Sequence, residues 1–350
     1  MSAQFRRMLH SALLMMMVTA VLAGCVAPTP AASPAIGDSA APADAAPVTL
    51  GAVQMVADLE WFRTVEMGMQ AAADEYGAEL LVANAQAKVD TEASMVENFT
   101  ARGVNAILIS ALDSKASVPA LQKAVDAGIT LINYNTTLES PIMTSFVGVD
   151  NTELGAQAGR YVRDYIEQNM GGAAKIALIT IPKYEVGRQR REGFVAEVSK
   201  NPNIEIVAEQ EGESPEQATS VVETVLQANP DIDLIWAANE GGAIGALTAT
   251  EGKDIKVVGT DMSLQIAKAL LDANNGLIAV STQDPYTIGY KSAELAIKKA
   301  RGEELTDVQP GEIGGQNVEI KVLVPLALYE KAKPEDVNAY LEKYKSLASQ

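Results

Sequence analysis

Histidine and cysteine are almost missing from this chain. Its 350 residues hold one histidine, His10, and one cysteine, Cys25. His10 lies in an N-terminal stretch that reads as a targeting segment and Cys25 directly follows it, so the part expected to fold has neither imidazole nor thiol. That excludes Ser-His-Asp and Cys-His catalysis, thiolate zinc sites and histidine metal sites. It also excludes a disulfide framework. No metal site and no cofactor is expected. Positive charge is scarce as well, with 27 Lys and Arg against 45 Asp and Glu and a net charge of −18. Such a surface repels nucleic acid and anionic lipid, so no nucleic-acid partner is expected. The glycines that follow the apolar runs do not form GxGxxG, and no phosphate-loop motif occurs. The one long apolar run, Ala12–Ala23, is about half the ~20 residues a membrane-spanning helix needs.

That run has a different meaning. Arg6 and Arg7 precede it, and Leu22-Ala23-Gly24-Cys25 follows it. Charge, apolar run and small residues before a cysteine appear in the order of a bacterial lipoprotein signal. Residues 1–24 are expected to be the signal and Cys25 the lipid attachment site. Residues 25–47 are rich in Ala, Pro and Ser and cannot bury a core, which reads as a tether. A lipid at Cys25 would hold the folded part at a membrane, outside the cytoplasm, without spanning it.

About 300 residues remain, too many for one ordinary core and suited to two α/β lobes. Short apolar strands alternate with helices from Val48 onward, the pattern of a doubly wound parallel sheet. The most informative stretch is Ile232–Asp261, which gives strand, polar tip, helix, strand, polar tip. The same pattern occurs 126 positions earlier, over Gly103–Thr136. At that offset Leu108 meets Leu234, Ala111 meets Ala237 and Ile129 meets Ile255. The polar tips coincide too, with Asp113 on Asn239 and Asn135 on Asp261. Any two βαβ units share some of this. In an open parallel sheet ligands bind beyond the carboxyl ends of the strands, where these tips would lie.

From Val48 to about Pro325 the chain resembles a type I periplasmic sugar-binding protein of the ribose/galactose-binding class. The matching stretches are Trp61-Phe62 after a strand, GRQRREGF (Gly187–Phe194), WAANEGGAIGAL (Trp236–Leu247), VVGTD (Val257–Asp261) and TQDPYTIGY (Thr282–Tyr290). The resemblance implies two Rossmann-like lobes joined by three hinge crossovers, closing on a sugar. It implies residues 48–151 with 284–317 as one lobe, 152–283 with 318–330 as the other, and a C-terminal helix over 331–350. It implies delivery to the permease subunits of an ABC importer, by a chain expected to be a monomer and not an enzyme. By position in the motifs, Trp61 and Phe62 would stack on the sugar. Arg188 would be the guanidinium fork, Asn239 an amide, Asp261 the carboxylate and Gln283 a group beside a crossover. Asn135 and Thr136 stand where ribose binders carry Asp and Arg, and Glu213 falls roughly where they place an aromatic.

Planar polar side chains grip vicinal hydroxyls with paired hydrogen bonds, and aromatic faces cover the C–H side of a sugar. Plainer readings compete. Trp61 and Phe62 could staple a helix start, and Asn239 and Asp261 could be helix caps. Arg190 and Arg191 read as solvated helix residues, and Trp236 and Met67, Met69 and Met95 as core. Tyr184 and Tyr286 could go either way, while Gln54 and Asp58 are plausible cleft residues. The same fold could serve a sensor that presents its ligand to a membrane receptor. A glycosidase using Asp261 and Glu240 is a further alternative, against which stands their place at unrelated strand tips.

Overall fold

The computed structural model describes residues 47–348 except Asp58 and Asp307, and for residues 346–348 the backbone alone. The expected signal, Cys25 and all but the last residue of the expected tether lie outside the described residues, as does Asp58.

Thirteen strands and ten helices follow one another among the described residues. The first series is β1 (Thr49–Gln54), α1 (Glu60–Tyr76), β2 (Glu79–Asn84), α2 (Val89–Arg102), β3 (Ala106–Ile109), α3 (Val118–Asp126), β4 (Thr130–Tyr134) and β5 (Ser145–Gly148). The second is α4 (Asn151–Asn169), β6 (Ala174–Thr180), α5 (Glu185–Val198), β7 (Ile204–Glu211), α6 (Pro215–Ala228), β8 (Leu234–Ala237), α7 (Glu240–Ala249), β9 (Lys256–Thr260), α8 (Leu264–Leu271) and β10 (Leu277–Thr282). The chain ends with α9 (Pro285–Arg301), β11 (Gln309–Ile313), β12 (Gln316–Leu323), β13 (Ala327–Glu330) and α10 (Pro334–Ala348).

These strands make two sheets, ordered β11-β12-β5-β4-β3-β1-β2 and β13-β10-β9-β8-β6-β7. Within each, five parallel strands run in the same doubly wound order, reversing direction of growth beside the first strand of the series. The two Rossmann-like lobes implied by the sequence are therefore present. The central strands β3, β4, β8, β9 and β10 are almost wholly buried, which is why they read as continuous apolar runs. Sheet membership changes three times along the chain: between β5 and β6, after β10, and between β12 and β13.

One boundary differs from expectation. β12 pairs in parallel with β5, so residues 318–323 belong to the first sheet, and only β13 joins the second, antiparallel to β10. The last crossing thus falls at Val324–Leu326. The alternating pattern of β12 gave no sign of which sheet it would join, since pairing is a tertiary choice.

The 126-residue repeat is right at one tip and two residues out at the other. β4 and β9 stand at that offset, and the residue after each, Asn135 and Asp261, has left-handed backbone with φ of 62° and 69°. Their amides donate to equivalent neighbours, Asn135 N to Val147 O and Asp261 N to Ser281 O, each at 3.0 Å. But Ala106 pairs with Thr130 while Leu234 pairs with Lys256, so β8 corresponds to β3 at an offset of 128 (234 − 106). Asp113 is therefore not the partner of Asn239. It caps its own turn, accepting from Lys115 N at 2.9 Å and Ala116 N at 2.7 Å. A two-residue slip keeps every side chain on its face of the strand, so apolar matching cannot detect it.

Glycines set the closest helix contact. α4 and α5 pack so tightly that a Cβ on Gly155 would lie 1.8 Å from Arg190 O, and one on Gly193 would lie 1.9 Å from Thr152 O. This contact fixes the height at which α5 presents its side chains to the strand tips.

Candidate functional site

The tips of the two sheets face a common cavity of about 90 Å³, room for several water molecules. One wall is apolar and comes from the start of α1 and the loop before it. Trp61 and Phe62 meet edge to face, with ring centroids 4.8 Å apart and planes at 81°. Both are buried, and Met55, Val56 and Leu59 extend the wall. The indole Nε1 of Trp61 is buried and has no hydrogen-bond partner among the described residues.

The opposite wall is polar and centres on Asp261. Its Oδ2 accepts from Arg190 Nη1 at 2.8 Å, and its Oδ1 accepts from Gln283 Nε2 at 3.0 Å. Arg190 also donates through Nε to Asn151 Oδ1 at 2.9 Å and through Nη1 to Ala238 O at 2.9 Å. Arg190 is only 3% exposed and Asp261 7%. Burying such a pair is tolerable only because each member is further hydrogen-bonded. The Oε1 of Gln283 is buried without a partner among the described residues.

The guanidinium in the site is thus Arg190, not Arg188. Both sequence expectations about these residues are overturned. Arg188 is exposed and donates to the carbonyls of Pro182 and Lys183 at 2.8 and 3.2 Å. Arg190, read as solvated, is the buried one. The cause is helical phase. α5 starts at Glu185, and its inward face carries Val186, Gly187, Arg190, Gly193 and Phe194. The run Gly187-x-x-Arg190-x-x-Gly193-Phe194 has the spacing of one helical face. That signal could have picked out Arg190 from sequence.

The other expected residues divide by role. Asn239 lines the cavity but also caps α7, its Oδ1 accepting from Gly242 N at 3.0 Å and its Nδ2 donating to Glu213 O at 2.8 Å. Asn135 lines it from the first lobe, with Nδ2 donating to Ser110 Oγ at 3.1 Å. Thr136 is buried behind the wall, 3.5 Å from Ser110 Oγ. Gln54 is fully buried and donates to Phe62 O and Glu66 Oε2, each at 3.2 Å. Tyr184 lines the cavity, whereas Tyr286 lines a separate one beneath α10. Trp236 is core, stacked on Phe194 with centroids 4.2 Å apart. Met69 is core too, while Met67 and Met95 are only half-buried.

Two carboxyl groups complete the lining. Glu213 accepts from the Tyr184 hydroxyl at 2.6 Å. Glu240, in the first turn of α7, is pushed up to about 7 by burial and by the nearby charges of Glu60 and Asp261. A Ser263 hydrogen bond and Arg63 act in the other direction. Burial together with Glu213 likewise pushes the Tyr184 hydroxyl well above the usual phenol range. Groups of ≥ 3 residues able to hold a metal ion do not occur among the described residues.

The lobes also touch directly. Thr137 Oγ1 donates to Glu185 Oε2 at 2.5 Å, and Leu264 N donates to Glu60 Oε1 at 2.8 Å. Two doubly wound lobes, crossed three times by the chain and closed over a cavity at their strand tips, define a two-lobed solute binder. The chain belongs to the periplasmic binding protein family, whose domain model matches residues 51–304. It is 32% identical over 270 residues to the ribose import binding protein RbsB of Escherichia coli (strain K12), covering 76% of this chain and 89% of that one. It is 32% identical over 278 residues to the ABC transporter periplasmic-binding protein YphF of the same organism, covering 75% and 84%. A solute-binding protein from Actinobacillus succinogenes 130z with bound D-allose superposes with a TM-score of 0.73 at 26% identity, covering 83% of this chain and 99% of that one. RbsB is named for ribose import and the Actinobacillus protein holds D-allose, and all three relatives are named as binding proteins rather than enzymes, in line with the expectation from sequence.

Proposed function

We propose that this chain is a lipid-anchored, extracytoplasmic solute-binding protein that captures a monosaccharide or similar polyol by lobe closure and delivers it to an ABC importer. The observation that carries the reading is Asp261, buried at a second-lobe strand tip and clamped between Arg190 and the crossover residue Gln283. A carboxylate so fixed presents its remaining lone pairs in one direction, suited to a pair of hydroxyls. Trp61 and Phe62 would cover the C–H face from the first lobe. Asn135, Asn239 and Gln283 would complete the polar ring, with Arg190 taking the place assigned to Arg188.

The first lobe would comprise residues 48–151 with 284–323, and the second 152–283 with 324–330. Because the two walls belong to different lobes, a ligand touching both binds the closed state better and shifts the equilibrium toward it. Residues 1–24 would be removed on export, leaving Cys25 lipidated at the head of a tether ending at residue 47. No helix among the described residues is long and apolar enough to cross a membrane. The importer's permease and ATPase would be separate chains.

A thermal-shift screen of the full chain against pentoses, hexoses and polyols tests the reading. Ligand that binds only the folded state raises Tm by mass action, about 2.7 kcal/mol of stabilisation at 100 times Kd. A shift with at least one such compound, absent in Asp261→Ala, is expected. A shift retained in full by that variant would remove Asp261 from the site.

A further inference from the structure

The charged groups that line the cavity are unequally matched. Its one guanidinium, Arg190, already serves Asn151, Ala238 and Asp261. The amide nitrogens of Asn135 and Asn239 each spend one of two N–H groups, on Ser110 and on Glu213 O. The acceptors are not exhausted. Gln283 Oε1 is buried with no partner, in a residue 4% exposed. Glu213 gives one oxygen to Tyr184, which leaves most of a carboxylate's four acceptor sites. Glu240 brings a third carboxyl group to a lining with a single cation, and that cation is paired with Asp261.

Cations do stand nearby. Lys183 approaches the Tyr184 hydroxyl at 3.3 Å from the exposed side, and the field of Arg63 reaches Glu240 from α1. Neither side chain lines the cavity. Glu213 and Glu240 flank Asn239, whose Nδ2 donates to Glu213 O. Together with Gln283 they give the polar wall open acceptors and more carboxyl groups than cations.

Resting on the sugar reading above, we infer that the cavity selects a sugar or polyol carrying a protonated amine, held by Glu213, Glu240 and Gln283 while Trp61 and Phe62 cover its apolar face. An ammonium supplies three donors and one positive charge, whereas a hydroxyl in its place supplies one donor and no charge. The high proton affinity of Glu240 agrees with this, since burial beside Glu60 and Asp261 outweighs the opposing field of Arg63, and an ammonium would relieve it.

Calorimetry on the detergent-solubilised full chain at pH 7 tests the inference with matched sets. These are D-glucose, D-glucosamine and N-acetyl-D-glucosamine, the corresponding galactose and mannose sets, and D-glucitol with 1-amino-1-deoxy-D-glucitol. At least one amine is expected to bind about 10–100-fold tighter than its hydroxyl and N-acetyl counterparts, the range of one or two charged hydrogen bonds. Glu213→Gln and Glu240→Gln keep shape and an acceptor oxygen, and each should cut that ratio at least about fivefold. Thermal melts of both variants check that they are folded. Neutral members binding as tightly as the amines, or a ratio unchanged in both folded variants, overturns the inference and leaves the sugar reading standing. Binding by no member of any set overturns both.

Discussion

Arg190 is the residue whose removal most sharply tests the architecture of the site. Arg190→Met keeps the length and apolar stem of the side chain but deletes three hydrogen bonds of 2.8–2.9 Å. Asp261 then stays buried, accepting from Gln283 but from no guanidinium. Breaking a buried pair by removing one partner costs about 3–5 kcal/mol, because the other charge stays uncompensated. The abandoned acceptors, Asn151 Oδ1 and Ala238 O, add to this by about 1 kcal/mol or more each, less whatever cavity water recovers. A net loss of about 3–5 kcal/mol corresponds to a fall in Tm on the order of 10 °C for a chain of this size. The double variant Arg190→Met/Asp261→Leu removes the stranded charge as well, and should regain at least about half of the loss. Arg188→Met, at an exposed position, should stay within about 0.5 kcal/mol of the parent. Urea denaturation of the four proteins, read by circular dichroism, gives the comparison. A loss of under about 1 kcal/mol in Arg190→Met, or a double variant no more stable than the single, would refute the claim that this pair is buried and mutually compensating.

Three further outcomes are expected. Glu240 has a folded-state pKa of about 7, raised by burial, above the ~4.3 of an unfolded chain. The folded state therefore binds more protons between these values. Its stabilising contribution is full below about pH 4, and is lost as pH rises to about 7. Glu240→Gln should flatten the stability profile of the ligand-free protein over that window by on the order of 1–3 kcal/mol, and a parallel profile would refute the assignment. Gly155→Ala would place a Cβ 1.8 Å from Arg190 O. It should force α4 and α5 apart, cost about 1–3 kcal/mol in urea, and weaken ligand binding without altering a residue that lines the cavity. α10 is anchored on the second lobe by the buried Val337 and by Tyr340, whose hydroxyl donates to Met262 O at 3.3 Å, while the Tyr344 hydroxyl lies 3.3 Å from Thr64 Oγ1 on α1. Tyr344→Phe should remove about 0.5–1.5 kcal/mol from the closed state and raise the ligand Kd a few-fold; an unchanged Kd would show that the contact does not bias closure.

What could be read from sequence follows the physics of each signal. Apolar runs of four to six residues marked the buried parallel strands, because strands covered on both faces must be apolar throughout. β11 and β13 were not foreseen, since QPGEI and ALYE are edge segments without that run, and their pairing comes from the tertiary fold. Asp261 stood out because it follows a buried strand at the end of a sheet, and the structure adds why that position is strict. Its φ of 69° lies where Asp and Asn are among the few non-glycine residues that settle readily, and the same holds for Asn135 across the repeat. The turn that aims the side chain into the cavity selects the residue type as much as any ligand would. Arg190 was missed for a related reason. Three arginines within four residues look alike as composition, and only the helical phase relative to Gly187 and Gly193 separates the buried one from its neighbours. Phase also explains the misplaced tip at Asp113, where a two-residue slip preserved every apolar match. In both cases the residue types were visible, and their direction was fixed by contacts between elements far apart in sequence: α4 against α5 for the arginine, and β3 against β4 for the tip.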